Sequence, residues 1–309
     1  MKLVKKILKI VAKLFAYLFL GIISTVLFAW IGLNIAKFGI YNEYYSVRTN
    51  ICTNPGLNEG AVPQGIAVSE EEDLILTTAY MKDNSASRVY LTNSKNEVHT
   101  VKLMKNGKPF TGHVGGISLS GNTAYISNGD KIYPISLDDL KNNDEVDIKD
   151  GIKVNNQASF TFADDKYLYV GEFNYSYYVC EHPLGDYNAI CTVYSLDDLA
   201  TPVKIYSIRD KVQGFCVTDD GKIVLSTSWG ITSSVFYVYE EEDIVDAQAT
   251  IDGAPVYILQ NASKEIKAPA MSEDLSFKDG KVYTMFESAC NKYIFGKFFF
   301  ATKVVALDI

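Results

Sequence analysis

Gln64-Gly65-Ile66-Ala67-Val68, closely followed by Leu74-Ile75-Leu76-Thr77, is the stretch on which the fold turns. It reads as a small or polar pair, an alternating apolar strand, a tight acidic turn, and a second apolar strand ending in Thr. The layout returns as Gly115-Gly116-Ile117-Ser118-Leu119 with Ala124-Tyr125-Ile126-Ser127, and as Ala158-Ser159-Phe160-Thr161-Phe162 with Leu168-Tyr169-Val170-Gly171. It appears again as Gln213-Gly214-Phe215-Cys216-Val217 with Ile223-Val224-Leu225-Ser226, and lastly as Glu273-Asp274-Leu275-Ser276-Phe277 with Val282-Tyr283-Thr284-Met285. The second residues of the five units, 65, 116, 159, 214 and 274, are spaced by 51, 43, 55 and 60. Periods of that size mark a repeat architecture.

A third strand follows in each unit, and its ending repeats as well: Ser136-Leu137-Asp138-Asp139-Leu140 recurs verbatim as Ser195-Leu196-Asp197-Asp198-Leu199. A fourth, more polar strand is readable at Val98 to Met104 and at Val203 to Ile208. Four antiparallel strands per unit describe a blade, so the expected fold is an all-β propeller of five blades. The small residues Ala67, Ser118, Thr161, Cys216 and Ser276 suit inner strands that crowd a common axis. The last unit ends on its third strand, and Tyr41 to Thr49 is the natural donor of the missing outer strand, which would leave no open edge. Six blades is the alternative, with a degenerate unit around Val256 to Leu259 in the longest gap.

Outward from the repeat, residues 1–13 form a basic segment and residues 14–36 contain no charged side chain. A helix of that length is roughly 34 Å long, enough to cross a hydrocarbon core of about 30 Å. The run is longer than a signal-peptide apolar region and no small-x-small cleavage site follows it, so a retained single-pass signal anchor is expected. Five lysines precede the run and few basic residues follow closely, which predicts a cytoplasmic N-terminus and residues 41–309 outside, at the cell surface. That outer part holds 23 basic and 37 acidic residues, a formal charge of −14. Such a surface repels phosphate backbones and argues against nucleic acid as a partner.

Five cysteines lie in this outer part. Cys180 and Cys191 flank an insertion between the second and third strands of the third blade and are expected to staple it. Cys52 and Cys290 are the expected clamp of the ring. Cys216, on an inner strand, reads as a buried free thiol. No Cys-x-x-Cys pair suggests a metal site.

In a propeller, the starts of the inner strands surround one end of the channel. The residues there are Gln64, His113, Gln157, Gln213 and Glu273. The second strands end near Asn128, Glu172 and Glu287, accompanied by Tyr80, Phe173, Tyr175, Tyr177, Tyr178 and Trp229. Hydrogen-bonded amides in a wet channel would explain the polar set without function. If both sets reach one rim, carboxylates and aromatics converge. That suits sugar stacking with acid/base chemistry on His113, Glu172, Glu273 and Glu287, or a Ca²⁺ held by oxygens of Asn128, Glu172 and Glu287. His99, on an outer strand, and His182, in the stapled insertion, are weaker candidates. No serine-hydrolase elbow, zinc-protease helix, phosphate-binding loop or dinucleotide fingerprint occurs.

The motifs Gln64-Gly65-Ile66, His113-Val114-Gly115-Gly116-Ile117, Gln213-Gly214-Phe215 with Asp219-Asp220-Gly221, and Met271-Ser272-Glu273-Asp274 with Phe286-Glu287-Ser288 resemble those of uncharacterised membrane-anchored extracytoplasmic bacterial β-propeller proteins. Those are similar in layout to the NHL, SMP-30-like and YVTN-type propellers. The likeness covers nearly all of the outer domain and carries fold and location better than activity. Two functions stand open. One is a binding module for a glycan, peptide or envelope protein. The other is a hydrolase with paired carboxylates or a channel metal, which the SMP-30-like resemblance implies, although no complete ligand set aligns with this sequence.

Overall fold

A computed structural model of the chain describes residues 1–69, 71–175, 187–298 and 301–309. Strand pairing gives five sheets, each built on an inner, a second and a third antiparallel strand, which makes the fold a five-bladed β-propeller. The inner strands are Ala61–Ser69, Gly116–Ser120, Phe160–Ala163, Val212–Val217 and Ser272–Lys278. All five fall on the repeated apolar stretches, as expected from their alternation. The small residues Ala67, Ser118, Thr161, Cys216 and Ser276 are all buried. They meet between blades: Ser118 Oγ lies 3.4 Å from Thr161 Oγ1, and Ser276 Oγ accepts the N–H of Val68 at 3.2 Å.

Ring closure uses the N-terminal segment, with a shift from the expected residues. Arg48–Thr53, and not Tyr41 to Thr49, pairs antiparallel with Lys303–Leu307, from Arg48 opposite Leu307 to Thr53 opposite Lys303. Residues Asn42–Val47 form a short helix instead, α2. Its Tyr44 is wholly buried, with its ring edge-on to Phe286 at 5.8 Å, and that burial holds the turn against the sheet. Among the described residues no sixth blade forms. Ile244–Ile251 and Ala254–Leu259 form a hairpin whose second strand runs parallel to Asp198–Ile208, extending the outer edge of the third blade. Val256 there is fully buried with Ile190 and Ile205, so the apolar run that suggested a unit of its own covers an existing one. Lys264–Ala268 then completes the fourth blade.

The core is divided between blade interfaces. Phe215, Phe236, Tyr239 and Phe286 belong to the largest buried cluster, over blades three to five. Val89, Leu91, Ile117, Ile126 and Ile135 fill a second cluster between blades one and two. Each such side chain, fully buried, contributes about 1.5–3 kcal/mol.

Among the described residues no disulfide is found. Cys52, Cys191, Cys216 and Cys290 are free and buried, while Cys180 lies outside the described residues. Cys52 packs with Ile66, Met285 and Val304, whereas Cys290 packs with Val62 and Tyr80, so the presumed clamp is two thiols in separate clusters. Burial disfavours their thiolates and pushes Cys52 up to about 11.

Before the ring stands one continuous helix, α1, Lys2–Ile40, which is long and apolar enough to cross a membrane and has no buried side chain. It touches the propeller near its C-terminal end. Trp30 Nε1 donates to the carbonyl of Lys297, and Asn34 Nδ2 to that of Phe298, each at 3.2 Å.

Candidate functional site

The inner strands approach so closely that some positions exclude a side chain. A Cβ on Gly65 would lie 2.5 Å from the Ile117 nitrogen, one on Gly116 2.4 Å from that of Thr161, and one on Gly214 2.6 Å from that of Leu275. In the fifth unit the same repeat position carries Asp274. It is completely buried, and its Oδ2 accepts the N–H of Ile66 at 3.3 Å and of Ile117 at 3.2 Å. Burial pushes this carboxyl well above the usual range against the pull of those N–H groups and that of Leu275. Glycines in three blades therefore clear the space in which an acid of the fifth reaches other inner strands.

At the end where the inner strands begin is a cavity of about 870 Å³. Gln64, His113, Asn128, Gln157, Gln213, Trp229, Glu273 and Glu287 all line it, together with Phe173 and Tyr293. The convergence of the two polar sets is thus present. Glu172 stays apart from this lining. Its Oε2 accepts the N–H of Ile190 at 3.2 Å and its own N–H donates to the Ile190 carbonyl, which closes the end of a blade-three strand pair. Asn128 uses its Oδ1 to accept the N–H of Val114 at 3.2 Å. Of the trio Asn128, Glu172 and Glu287, two members thus line the cavity and the third does not. Among the described residues no group of three or more His, Cys, Asp or Glu side chains is arranged to hold a metal ion.

The chemistry concentrates around Glu287 and Glu273. Glu287 Oε1 accepts from Gln64 Nε2 at 3.0 Å and from the Tyr80 hydroxyl at 3.3 Å. Lys292 Nζ donates to that hydroxyl at 2.7 Å and lies 4.4 Å from the centre of the Tyr80 ring. Burial raises Glu287 to about 7, although Lys292 and the two hydrogen bonds favour its ionised form. Glu273 is raised well above its usual range, first by burial and then by the charges of Glu287 and Asp274. Burial and mutual repulsion thus both work against ionising the two carboxyls together. His113 lies against Tyr80, ring centres 4.5 Å apart and planes tilted by 33°, and it is open to the cavity. The protein mass around the ring and the nearby Lys292 charge lower its pKa.

Backbone strain accompanies this geometry. Val114, a β-branched residue, has φ of 49°, and Met271 has φ of 65°. Such conformations cost about 1–3 kcal/mol each and persist only where surroundings enforce them. Around Val114 the enforcers are the Asn128 side chain and Thr78 Oγ1, which donates to the Val114 carbonyl at 2.8 Å. The twist sits between His113 and the inner strand it precedes. Across the mouth, Trp229 lies near-parallel to Tyr175, at 4.3 Å and 22°, and to Phe173, at 5.8 Å and 29°. Tyr177, Tyr178 and His182 lie outside the described residues. His99 sits on an outer strand and bonds the Asn143 carbonyl, away from the cavity.

Sequence reasoning missed Tyr293 and Lys292, which enter from the segment after the second strand of blade five. Its aromatic and basic run, Asn291-Lys292-Tyr293-Ile294-Phe295, was the available signal. It also missed Thr78 and Asp274, whose roles depend on contacts between blades.

Comparison with protein-family models finds no match, and neither does comparison with curated proteins. Solved structures do resemble the chain at the level of fold. The PQQ-bound aldose sugar dehydrogenase of Streptomyces coelicolor is 13% identical, with 78% of this chain and 77% of that one covered and a TM-score of 0.45. BamB from Moraxella catarrhalis is 9% identical over 80% of this chain and 84% of its own, with a TM-score of 0.33. The Kuenenia stuttgartiensis hydrazine synthase is 12% identical with a TM-score of 0.40. The likeness covers 73% of this chain and 55% of that longer one. Likeness this distant concerns the fold alone.

Proposed function

We propose that the chain is a single-pass membrane protein, anchored by residues 14–36 with its N-terminus in the cytoplasm, and that its external propeller binds a hydroxyl-rich ligand, the end of a glycan, in the channel-mouth cavity. The observation that carries this reading is the aromatic stack of Tyr175, Trp229 and Phe173 beside a cavity lined with amides and carboxyls. Sugar rings offer C–H faces to aromatic planes and hydroxyls to amides and carboxylates, and this site presents both. Calorimetric titration of the full chain in detergent with an oligosaccharide panel tests it. At least one sugar should bind, and W229A should weaken it about tenfold, as loss of one stacking contact of about 1.5 kcal/mol requires. Absence of binding across the panel, or undiminished binding by W229A, would sink the reading.

A second reading, glycoside hydrolysis, is favoured by one feature: Glu287, raised to about 7, beside Glu273, also raised. A protonated carboxyl next to an ionised one is the pairing that acid-assisted hydrolysis needs. In that case both E273Q and E287Q abolish turnover of an aryl glycoside while leaving stacking on Trp229 intact. Turnover that survives both changes excludes it.

A further inference from the structure

The propeller has two chemically different ends, and α1 meets only one of them. Lys297 and Phe298, which accept the hydrogen bonds from Trp30 and Asn34, lie between the second and third strands of blade five. The same segment brings Tyr293 to the cavity. Just past α1, the Tyr41 hydroxyl meets Ser233 Oγ at 3.1 Å, at the end of the loop that carries Trp229. The end of the helix and the residue after it therefore touch two of the loops that also contribute to the cavity.

Those two loops also carry the most exposed large apolar side chains outside α1 among the described residues. Among the described residues after α1, the only large apolar side chains more than half exposed are Ile231, at 61%, and Phe295, at 67%. Ile231 shares the loop of Trp229, and Phe295 shares the segment of Tyr293. Exposed apolar side chains grouped on one end need a partner, whereas scattered ones do not. The opposite end collects the acidic turns, with Glu71, Asp164, Asp165, Asp219 and Asp279 around the other mouth of the channel. Carboxylates in that number are expelled from a bilayer and belong in water.

Depth follows from the helix. Trp30 precedes Ala36, the last residue of the uncharged run, by six positions, or about 9 Å of helix rise. A segment hydrogen-bonded to Trp30 therefore comes within about 9 Å of the level at which α1 leaves the hydrocarbon. Tryptophan and tyrosine are enriched in that interfacial layer, and phenylalanine is favoured in the apolar layer beside it.

We infer that the cavity end of the propeller lies against the bilayer, with Trp229, Ile231 and Phe295 in its interface, and that the cavity takes the uncharged, hydroxyl-rich head of a membrane-borne amphiphile whose apolar tail stays in the lipid. This rests on the anchor and sugar-binding readings above. An anionic head is disfavoured because Glu273, Glu287 and Asp130 line the cavity.

The chain has two tryptophans, Trp30 in the helix and Trp229 on the rim, so fluorescence separates the readings. The full chain is placed in phosphatidylcholine vesicles carrying doxyl groups on their acyl chains. W229F reports on Trp30, and W30F reports on Trp229. If W30F is unstable, wild-type emission minus that of W229F isolates Trp229 without disturbing the helix contact. The expected result is loss of emission from both tryptophans with doxyl lipid, and protection of Trp229 from aqueous iodide. Quenching of Trp30 with Trp229 open to iodide, or with Trp229 shielded from iodide and lipid alike by a second copy, overturns the inference and leaves the anchor standing. Loss of lipid quenching at both removes the anchor reading as well.

A second arm compares monoglucosyl diacylglycerol in the vesicles with methyl glucoside in solution, read by the shift of Trp229 emission. Confinement to the surface should lower the half-saturating concentration about tenfold or more for the lipid-borne sugar. Response to the soluble sugar alone, or to both equally, overturns the membrane-borne ligand and keeps the sugar site. Response to neither removes both.

Discussion

The Asp274 carboxylate reaches from the fifth blade to the second, where its Oδ2 accepts the N–H of Ile117 at 3.2 Å. The same oxygen accepts the N–H of Ile66 in the first blade at 3.3 Å, and Oδ1 has no partner. One side chain thus ties three inner strands where the other blades carry Gly65, Gly116, Ser159 and Gly214.

Replacing Asp274 by Ala strands two buried N–H groups, and each costs about 1–3 kcal/mol, so D274A should lose about 2–6 kcal/mol of stability. D274N keeps an acceptor and removes an acid from an apolar site, and should stay within about 1 kcal/mol of the parent. Denaturant unfolding of both variants checks this. Equal losses would mean that charge, and not the bridging acceptor, holds the strands.

Glu287 binds its proton more tightly in the folded chain, with an affinity raised from 4.5 to about 7, and Glu273 is raised as well. For such groups the folded state holds more protons than the unfolded one over that interval. The stabilisation is complete below pH 4.5 and is lost as pH rises through about 7. For Glu287 alone the loss is about 3 kcal/mol, so the melting temperature should fall between pH 5 and 8. E273Q should flatten that fall and melt higher than the parent at alkaline pH. An unchanged slope in E273Q would show that Glu273 does not titrate with Glu287.

Gly214 faces the backbone of the fifth blade, and a Cβ there would meet Asp274 and Leu275 atoms at 2.6–2.7 Å. G214A should cost about 3 kcal/mol or more, because backbone must move to admit the methyl group. Gly280, in an outer turn with open space around it, should tolerate Ala at only the cost of its φ of 71°. Thermal melting of the two variants separates steric exclusion from turn strain.

Cys52, Cys191, Cys216 and Cys290 are buried free thiols. In a C180S background, Ellman's reagent should find four thiols after unfolding and almost none before. Fewer than four in the unfolded, unreduced chain would restore the ring clamp between Cys52 and Cys290.

Much of the fold was legible because inner strands are buried on both faces and repeat every 43–60 residues. What escaped was set by neighbours in space. The identical pentapeptides from Ser136 and from Ser195 take different forms: the first opens the helix Leu137–Asn142, and the second turns directly into the strand Asp198–Ile208. Leu137 and Leu140 are buried between blades one and two, which supports a helix there. After Ser195, a neighbouring strand is available to pair, and extended backbone prevails.

The candidate site was legible in the same measure. Polar residues at the starts of inner strands had to converge, since any radial array brings those starts together, and His113, Glu273 and Glu287 share one cavity. Glu172 had the same pattern but turned to the N–H of Ile190, a choice that local hydrogen bonding makes and spacing does not reveal.

By itself, then, the chain's order of residues determined a long apolar helix, five sheet-forming units and the end of the ring at which polar groups gather, because periodicity and burial act along the backbone. Tertiary structure alone decided which acids lose their water, which cysteines stay apart and which end meets the helix. Desolvation, thiol geometry and docking depend on distances between residues that are remote in sequence.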